Sequence, residues 1–263
     1  MDLGVRDRAC IISGGSRGIG LEVGRQLRAE GANLLLLGRG EDALRAAADA
    51  LGGEAVAWLA IDVTCPAAGE RAVARCRERF GRVDVLVNGA GTSSVRAIDE
   101  LCDQDWQDQW ELNVMASMRL MRAAIPMMRD QGWGRIVNIS SSSGKRPGQR
   151  NVAYSVAKAA QLSLSRAYAD AYAREGVLIN AVTPGPVASE LWLAPGGLVD
   201  QTVQARGGTR DQVLAAAAAG LPRGRLASPA EIAAVIVFLC SEAAANVAGS
   251  AWSVDGGAVP III

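Results

Sequence analysis

Histidine is absent from the 263-residue sequence. This excludes Ser-His-Asp triads, histidine acid/base catalysis and most zinc sites. The five cysteines, at positions 10, 65, 76, 102 and 240, are odd in number and show no Cys-x-x-Cys spacing. Such a pattern is typical of a reducing, cytoplasmic compartment rather than of a disulfide framework. Proton transfer must therefore depend on tyrosine, lysine, cysteine or a carboxylate, and we predict no metal site.

Net charge is also absent, because 27 basic residues balance 27 acidic ones. Without a basic excess, we expect no nucleic-acid partner. The densest apolar run, residues 232–240, is far shorter than the ~20 residues of a membrane-spanning helix. The charged first residues lack the apolar stretch of a signal peptide. We therefore expect no membrane segment.

Seven short apolar segments alternate with longer segments of helical periodicity. The predicted strands are 9–13, 33–37, 54–61, 83–88, 135–140, 177–182 and 250–254. The last predicted helix, 229–239, starts with a serine N-cap, a first-turn proline and a capping-box glutamate. Strand–helix alternation predicts an α/β fold with a doubly wound, Rossmann-type parallel sheet of seven strands and helices on both faces. No repeat or linker divides the chain, so residues 1–263 are predicted to form one domain.

A glycine-rich turn follows the first predicted strand and leads directly into a helix. It reads Ser13-Gly14-Gly15-Ser16-Arg17-Gly18-Ile19-Gly20. Glycines 14, 18 and 20 permit a tight turn and a close backbone approach to a pyrophosphate, while the helix N-terminus supplies free N–H groups. Its place in the first strand–turn–helix unit favours a dinucleotide site over a chance spacing among 30 glycines.

A second motif, Tyr154-Ser155-Val156-Ala157-Lys158, begins a long helical segment. Residues four apart share one helix face, so the phenol and the ammonium project into the same volume. Lysine is rare here, since only residues 145 and 158 of the 27 basic residues are lysines. We predict that the ammonium lowers the pKa of Tyr154 from about 10 toward the range of general acid/base catalysis. The alternative is a solvated helix charge.

These motifs resemble those of the short-chain dehydrogenase/reductase family in its compact form, similar to 3-oxoacyl carrier-protein reductases and related ketoreductases. The resemblance extends nearly end to end. Asp62-Val63 follows the third strand, Asn88-Gly89-Ala90-Gly91 the fourth, with Gly89 replacing an asparagine, Pro184-Gly185 the sixth and Asp255-Gly256-Gly257 the seventh. The resemblance implies an NAD(P)(H)-dependent oxidoreductase that interconverts a carbonyl compound and a secondary alcohol by hydride transfer.

The resemblance also implies roles for individual residues. Tyr154 is the general acid/base, Lys158 tunes it and binds the nicotinamide ribose, and Ser141 holds the substrate oxygen. Asn113 supports a water chain to the lysine. The sequence leaves Ser142 open as the alternative to Ser141. The implied cofactor-binding residues are Gly14, Ser16, Arg17, Gly18, Ile19, Gly20, Arg39, Asp62, Val63, Asn88, Ala90, Gly91, Tyr154, Lys158, Pro184, Gly185, Val187 and Ser189.

The end of the second strand indicates which nicotinamide cofactor is used. It reads Leu37-Gly38-Arg39, so Gly38 stands where NAD-preferring relatives carry an acidic residue. Arg39, together with Arg17, suits a 2′-phosphate through charge-assisted hydrogen bonds. We predict NADP(H) as the preferred cofactor and NAD(H) as the alternative; Arg39 is otherwise a solvated loop residue.

Substrate and assembly are less well defined by the sequence. Residues 186–225 are expected to form a flap over a small-molecule substrate, as in relatives. The triplet Leu191-Trp192-Leu193 predicts a pocket for an uncharged, bulky carbonyl compound, unless it only packs the flap, and Ser93, Ser94 and Arg96 are further candidates to face the substrate. The sequence does not rank 3-oxoacyl thioesters, cyclic ketones, sugars and steroids as substrates.

Relatives use helices equivalent to 105–129 and 152–174 for dimer contacts and the last strand region to complete tetramers. With the apolar tail 259–263, this predicts a homotetramer, or else a homodimer. Two other functions stay open. A non-catalytic dinucleotide-binding sensor or scaffold has a broken Tyr/Lys/Ser set as its hallmark, and an epimerase or dehydratase on this fold usually carries a larger carboxyl-terminal domain. The complete set and the chain length favour the oxidoreductase.

Overall fold

The fold is built on one seven-stranded parallel sheet. The structure, a computed structural model, describes residues 2–260. Its strands lie in the order β3-β2-β1-β4-β5-β6-β7, and every neighbouring pair is parallel. This confirms the predicted doubly wound α/β fold. The strands are Ala9–Ser13 (β1), Asn33–Gly38 (β2), Val56–Ala60 (β3), Val85–Asn88 (β4), Gly134–Ile139 (β5), Val177–Pro184 (β6) and Ala251–Val254 (β7).

Helices cover both faces of the sheet. One face packs against α1, α2 and α10, the other against α3, α5 and α6, and each interface encloses its own apolar cluster. The buried strands read as continuous apolar runs because both of their faces are covered. The α-helices of the described residues are Gly18–Ala29 (α1), Glu41–Leu51 (α2), Ala68–Phe80 (α3), Asp103–Trp110 (α4), Ala116–Asp130 (α5), Val152–Tyr172 (α6), Glu190–Leu193 (α7), Leu198–Arg206 (α8), Arg210–Ala219 (α9) and Pro229–Leu239 (α10).

Several element boundaries differ from the sequence prediction. The predicted helical segment 105–129 is confirmed, but a π-helical segment, Glu111–Met115, divides it into α4 and α5. Strand β3 starts two residues late, since Gly53–Ala55 form a 3₁₀ turn after the left-handed Gly52. Strand β6 extends through Pro184, because its last residues pair with β7. The capping box that starts α10 is confirmed: Ser228 Oγ accepts from the Glu231 N–H, and the Glu231 carboxylate accepts from the Ser228 N–H.

The strand order places a crevice at the carboxyl edge of the sheet. From β1 the chain winds outward to β2 and β3, and then returns to continue on the other side from β4 to β7. Connections leave the neighbouring strands β1 and β4 in opposite directions, which opens a ligand-binding crevice at their carboxyl ends. The glycine turn after β1 and residues 89–91 after β4 both lie at this edge.

Some predictions concern membranes, metals and the chain end. None of the helices between residues 2 and 260 is long and apolar enough to cross a membrane. The same residues form no group of three or more metal-ligating side chains. Of the apolar tail at 259–263, residues 261–263 lie outside the described residues.

Candidate active site

The turn between β1 and α1 brings the backbone into unusually close contact with itself. Gly14 has a φ of 71°, and a Cβ on Gly20 would lie 2.3 Å from the Gly14 carbonyl oxygen. The N–H groups of Gly14 and Gly15 donate to the Leu37 carbonyl, which fixes the turn to the end of β2. Arg17, the N-cap of α1, makes no side-chain cap, so the first N–H groups of the helix stay available to an anion.

A cavity of about 670 Å³ lies in front of this turn. Twelve of the predicted cofactor residues line it, from the first, second, third and fourth strand ends and from the flap. They are Gly14, Ser16, Arg17, Gly18, Ile19, Gly20, Arg39, Asp62, Val63, Ala90, Gly91 and Ser189. The structure therefore gathers, at one crevice, residues that are up to 175 positions apart in the chain (189 − 14).

Charged side chains of both signs line this cavity. Arg17 and Arg39 are exposed, and neither forms an ion pair with another described residue. The Asp62 carboxylate accepts hydrogen bonds from the Thr64 N–H (2.9 Å) and hydroxyl (2.7 Å). These bonds, with a smaller contribution from Arg39, lower the pKa of Asp62. The cavity thus offers two guanidinium groups that form no ion pair with another described residue, together with the carboxylates of Asp62, Asp108, Glu111 and Glu190. The two arginines and Asp62 form a donor and acceptor set that fits a phosphorylated adenosine.

A second cavity of about 190 Å³ adjoins the first. The two share wall residues, including Ile19, Gly91, Thr92 and Leu191. This second cavity contains the predicted reaction centre and the rest of the predicted cofactor residues except Asn88. It is lined by Gly91, Ser141, Tyr154, Lys158, Pro184, Gly185, Val187 and Ser189, among others.

Ser141 and Tyr154 lie beside each other in this second cavity. Ser141 is buried and follows the end of β5, and its hydroxyl accepts from the Ser143 N–H at 3.1 Å. The Ser141 hydroxyl lowers the pKa of the Tyr154 phenol, but burial raises that pKa by more. Ser142 lines the same cavity without acting on the tyrosine. The pairing favours Ser141 over Ser142 as the serine beside the phenol.

Lys158 lies under the Tyr154 ring, with Nζ 5.6 Å from the ring centroid. Nζ donates to the Ile139 carbonyl oxygen (2.7 Å) and to Gln161 Oε1 (3.1 Å). Because the ammonium is buried, its pKa falls from 10.5 to about 7. The lysine is therefore held in place by two acceptors and titrates near neutrality.

The predicted lowering of the Tyr154 pKa by the lysine is wrong for this structure. Burial raises the pKa of Tyr154, and the group that opposes this rise is Ser141 rather than Lys158. Lys158 Nζ lies over the face of the ring. Burial also lowers the fraction of Lys158 that is protonated near neutral pH, so less positive charge acts on the phenol. At this site it is the lysine whose pKa approaches the working range.

Comparison with known proteins agrees with this arrangement. A family model described as "Enoyl-(Acyl carrier protein) reductase" matches residues 14–259. The short-chain reductase protein NovJ of Streptomyces niveus is 36% identical over 256 residues, covering 96% of this chain and 94% of NovJ. The 3-oxoacyl-[acyl-carrier-protein] reductase FabG of Escherichia coli strain K12 is 31% identical over 250 residues, covering 95% and 96%. The chain belongs to the short-chain dehydrogenase/reductase family.

The solved structures include a similar member of this family. L-Sorbose reductase from Gluconobacter frateurii, complexed with NADPH and L-sorbose, superposes with a TM-score of 0.93 at 36% identity, over 100% of each chain. The present protein is, accordingly, an NAD(P)-dependent oxidoreductase of this family that interconverts carbonyl and alcohol groups.

Two predicted site residues of this short-chain dehydrogenase/reductase lie behind the cavity walls. Asn88 is buried, and its amide donates to Asn138 Oδ1 at 2.7 Å. Asn113, in the π-helical segment, is fully buried and donates to the Gln109 carbonyl (3.0 Å) and Oε1 (2.9 Å). Neither residue lines either cavity. This burial weighs against the predicted direct contact of Asn88 with a cofactor.

Asn113 nevertheless remains connected with the reaction centre. Its Oδ1 is buried and has no hydrogen-bond partner. A Cβ on Gly91 would lie 3.3 Å from this oxygen and 3.6 Å from Lys158 Nζ, so both groups lie behind the same glycine. The unpartnered acceptor beside the lysine agrees with the supporting role that the resemblance implies for Asn113.

The sequence analysis missed several residues around the two cavities. Thr92 lines both cavities, and Thr64 holds the Asp62 carboxylate. Gln161, buried three residues after Lys158, binds the lysine directly. Helical spacing gave a signal for Gln161, because a residue at i+3 lies on the same helix face as the lysine. No comparable signal marked Thr92, which only the tertiary fold brings to the crevice.

Proposed function

We propose that this protein is an NADPH-dependent ketone reductase in which Tyr154 is the general acid. The observation that carries this proposal is the placement of Ser141 beside Tyr154, above buried Lys158, in a cavity that adjoins the glycine turn. The set occupies the place where a nicotinamide would meet a substrate. Its completeness argues against a non-catalytic sensor or scaffold.

The residues present fit a dinucleotide. The free N–H groups of the first turn of α1 would hold the pyrophosphate, and Arg17 with Arg39 would hold a 2′-phosphate. Asp62 with Val63 would contact the adenine, and the third N–H of Lys158 would hold the nicotinamide ribose. When bound, NADPH supplies the hydride.

In the proposed reaction, the Ser141 hydroxyl and the Tyr154 hydroxyl both donate hydrogen bonds to the substrate carbonyl oxygen. As hydride adds to the carbonyl carbon, the C–O double bond gives its electron pair to oxygen. Tyr154 transfers its proton to that oxygen, forming the alcohol and leaving a phenolate beside Lys158. The raised pKa of the phenol keeps Tyr154 protonated and ready to act as the acid near neutral pH. Alcohol oxidation follows the same steps in reverse.

The substrate that fits best is a small, uncharged ketone that carries hydroxyl groups. At about 190 Å³ the second cavity is smaller than the ~300–1,000 Å³ of typical drug-sized sites. This volume disfavours the bulky compound predicted from the Leu191-Trp192-Leu193 triplet. The hydroxyls of Ser93 and Ser142 face the cavity, and apart from Lys158 no charged side chain among residues 2–260 lines it. The similar L-sorbose reductase structure, complexed with a sugar, supports this choice.

Two measurements test the proposal. Tyr154→Phe is expected to keep NADPH binding within about threefold, by fluorescence titration, and to lower kcat at least ~10²-fold, because only the proton donor is lost. Most activity surviving in that variant would defeat the assignment. A panel of hydroxyketones, cyclic ketones and 3-oxoacyl thioesters, followed at the nicotinamide absorbance with NADPH and NADH, tests substrate and cofactor. We expect the highest kcat/KM for a hydroxyketone with NADPH; a preference for thioesters would contradict the substrate class.

We further propose that the enzyme forms homo-oligomers in the cytoplasm. Trp106 and Trp110 on α4 and Val156 on α6 are more than a third exposed, on two helices that pack together. A patch of this kind on a monomer would be costly to leave in water. All five cysteines are free, which is usual in a reducing compartment.

A further inference from the structure

A continuous chain of hydrogen bonds runs from Lys158 away from the cavity into the protein interior. Lys158 Nζ donates to Gln161 Oε1 at 3.1 Å, and Gln161 Nε2 donates to Ser117 Oγ on α5 at 2.8 Å. Ser117 Oγ donates in turn to the main-chain carbonyl of Asn113 at 3.0 Å. All four residues are at least nine-tenths buried. The lysine is thus connected to the main chain of the π-helical segment through the side chains of Gln161 and Ser117.

The two ends of this chain fix the direction of every bond in it. The Lys158 ammonium can only donate hydrogen bonds, and the Asn113 main-chain oxygen can only accept them. Ser117 must therefore donate to Asn113 and accept from Gln161, which turns the Gln161 amide oxygen toward the lysine. A buried amide whose two ends are both satisfied in one orientation is rigid. Gln161 consequently presents a fixed acceptor to Lys158.

The fixed acceptor determines how the lysine uses its hydrogens. Of the three N–H groups of the ammonium, one donates to the Ile139 carbonyl and one to Gln161. The third has no hydrogen-bond partner among the described residues, and Lys158 lines the cavity beside Tyr154. Without Gln161 the ammonium would have one partner and could rotate among orientations, so fewer molecules would present a hydrogen to the cavity.

We propose that Gln161 is a positioning residue for Lys158, which directs the one free N–H of the lysine into the reaction cavity. This inference rests on the proposed function, since it concerns the proposed reaction centre. Gln161 itself does not touch the cavity. It acts by its hydrogen bond to Lys158 and by the support that Ser117 gives it.

The surroundings of Lys158 make this role measurable. Tyr154, on the same helix, is the titratable group that faces it. Strand β5 contributes the Ile139 carbonyl, the loop after β4 contributes Gly91, and the π-helical segment contributes the Asn113 amide. Each of these is uncharged. A charge introduced at position 161 would therefore act on the lysine with little competition from other charges.

The first test observes Lys158 directly by NMR. With ¹³Cε-lysine labelling the whole chain gives signals from two residues, Lys145 and Lys158. We expect Gln161→Glu to raise the pKa of Lys158 by at least ~1 unit, because an opposite charge stabilises the ammonium, and Gln161→Leu to lower it, because an acceptor is lost. Lys145, bound to the Ala251 carbonyl and Ser253, is the internal reference. Identical titration of Lys158 in folded wild type and both variants would overturn the proposal.

The second test compares kinetics with a control on the same helix. Gln161→Leu is expected to lower kcat about tenfold while the KM of the ketone stays within about twofold, and the pH limb of kcat should move with the NMR pKa. At pH values above the NMR pKa of Lys158, Gln161→Glu should recover most of kcat, because the carboxylate restores an acceptor for the lysine. The control is Ser165→Ala, which removes a buried hydroxyl that donates to the Gln161 main-chain oxygen, accepts from Asn138 Nδ2 and forms no hydrogen bond with Lys158. Equal losses in Ser165→Ala and Gln161→Leu would show a merely structural role.

The two tests also separate this inference from the proposed function. If the wild type reduces no ketone, the proposed function fails, but the lysine titration still reports whether Gln161 controls Lys158. If Gln161→Leu does not fold, Gln161→Glu and Ser117→Ala provide the same comparison. Ser117→Ala is expected to give a smaller pKa change in the same direction as Gln161→Leu, because it removes the support of the amide and keeps Oε1.

Discussion

Lysine is used at two positions in a chain that otherwise relies on arginine, and both lysines donate to main-chain carbonyls inside the fold. Lys145 reaches the Ala251 carbonyl at 2.8 Å and Lys158 the Ile139 carbonyl at 2.7 Å. A compact ammonium fits such a narrow site, whereas a planar guanidinium needs more room and cannot lose its charge. Composition therefore singled out Lys158, and the structure shows that this lysine is buried and hydrogen-bonded. The direction of the pKa changes at the site depended on burial, which composition does not contain.

The burial of Lys158 should be visible in the pH dependence of stability. Its pKa in the folded protein is about 7, below the 10.5 of the exposed group. Between these values the unfolded chain binds more protons than the folded one, so the free energy of unfolding rises with pH. We expect wild type to gain up to ~1.4 kcal/mol per pH unit between pH 7 and 9 relative to Lys158→Met. Urea denaturation of both proteins at pH 7, 8 and 9 measures this, and parallel stability curves would contradict it.

Cofactor choice is also decided at the scale of single residues. Arg39→Ala should raise the KM for NADPH about tenfold or more and leave the KM for NADH nearly unchanged, because a charge-assisted hydrogen bond to the 2′-phosphate contributes ~1.5–3 kcal/mol. Arg45→Ala is a suitable control, since Arg45 is bound to Glu41 outside the cavity. Equal losses with both cofactors would mean that Arg39 does not recognise the phosphate.

At the scale of elements, the crossing of α3 and α5 depends on one glycine. A Cβ on Gly69 would lie 2.4 Å from the Arg119 carbonyl oxygen and 3.1 Å from Ala123 Cβ. The two helices can approach this closely because Gly69 has no side chain. Helical periodicity predicted both elements but did not reveal this contact. The π-helical segment was not predicted, because its one-residue change of register shifts the phase of the apolar pattern but leaves the helical period on either side unchanged.

We expect Gly69→Ala to lower the free energy of unfolding by about 1–3 kcal/mol, because the helices must separate to admit the methyl group. This packing cost exceeds the gain of up to ~1 kcal/mol that alanine brings through its higher helix propensity. Gly220→Ala is the control: Gly220 lies at the end of α9 with a φ of −76°, and its Cβ would meet nothing closer than the Ala216 and Ala217 carbonyl oxygens at 3.6 Å. The control should change stability by less than about 0.5 kcal/mol. Similar losses in the two variants, by chemical denaturation, would reject the packing argument.

At the scale of the whole molecule, the strand order brings the site together. Residues that follow β1, β2, β3, β4, β5 and β6 meet at one edge because all seven strands are parallel and their carboxyl ends face the same side. This topology was predictable from strand–helix alternation and right-handed crossovers. The boundary between the two cavities could not be predicted from the sequence, because it depends on how Leu191 and Thr92 lie against the sheet edge.

Assembly belongs to the same scale. We expect size-exclusion chromatography with light scattering to give the mass of two or four chains, because exposed Trp106, Trp110 and Val156 need a partner surface. Trp110→Glu should shift the mass toward one chain, since an interfacial carboxylate would be desolvated without a counter-charge. Ala46→Glu, on the exposed side of α2, should leave the mass unchanged. A monomeric wild type would refute this assembly.

The sequence by itself determined the fold class, the glycine turn and the Tyr154–Lys158 pair, because each depends on local periodicity or on fixed spacing along one element. Tertiary structure decided which serine meets the phenol, which residues separate the two cavities, and how Lys158 is anchored through Gln161 and Ser117. Tertiary structure also reversed the expected direction of the Tyr154 pKa shift, because the pKa of a group depends on its distance to water and to its neighbours. These distances are set by packing between elements far apart in the chain, which no local pattern of residues records.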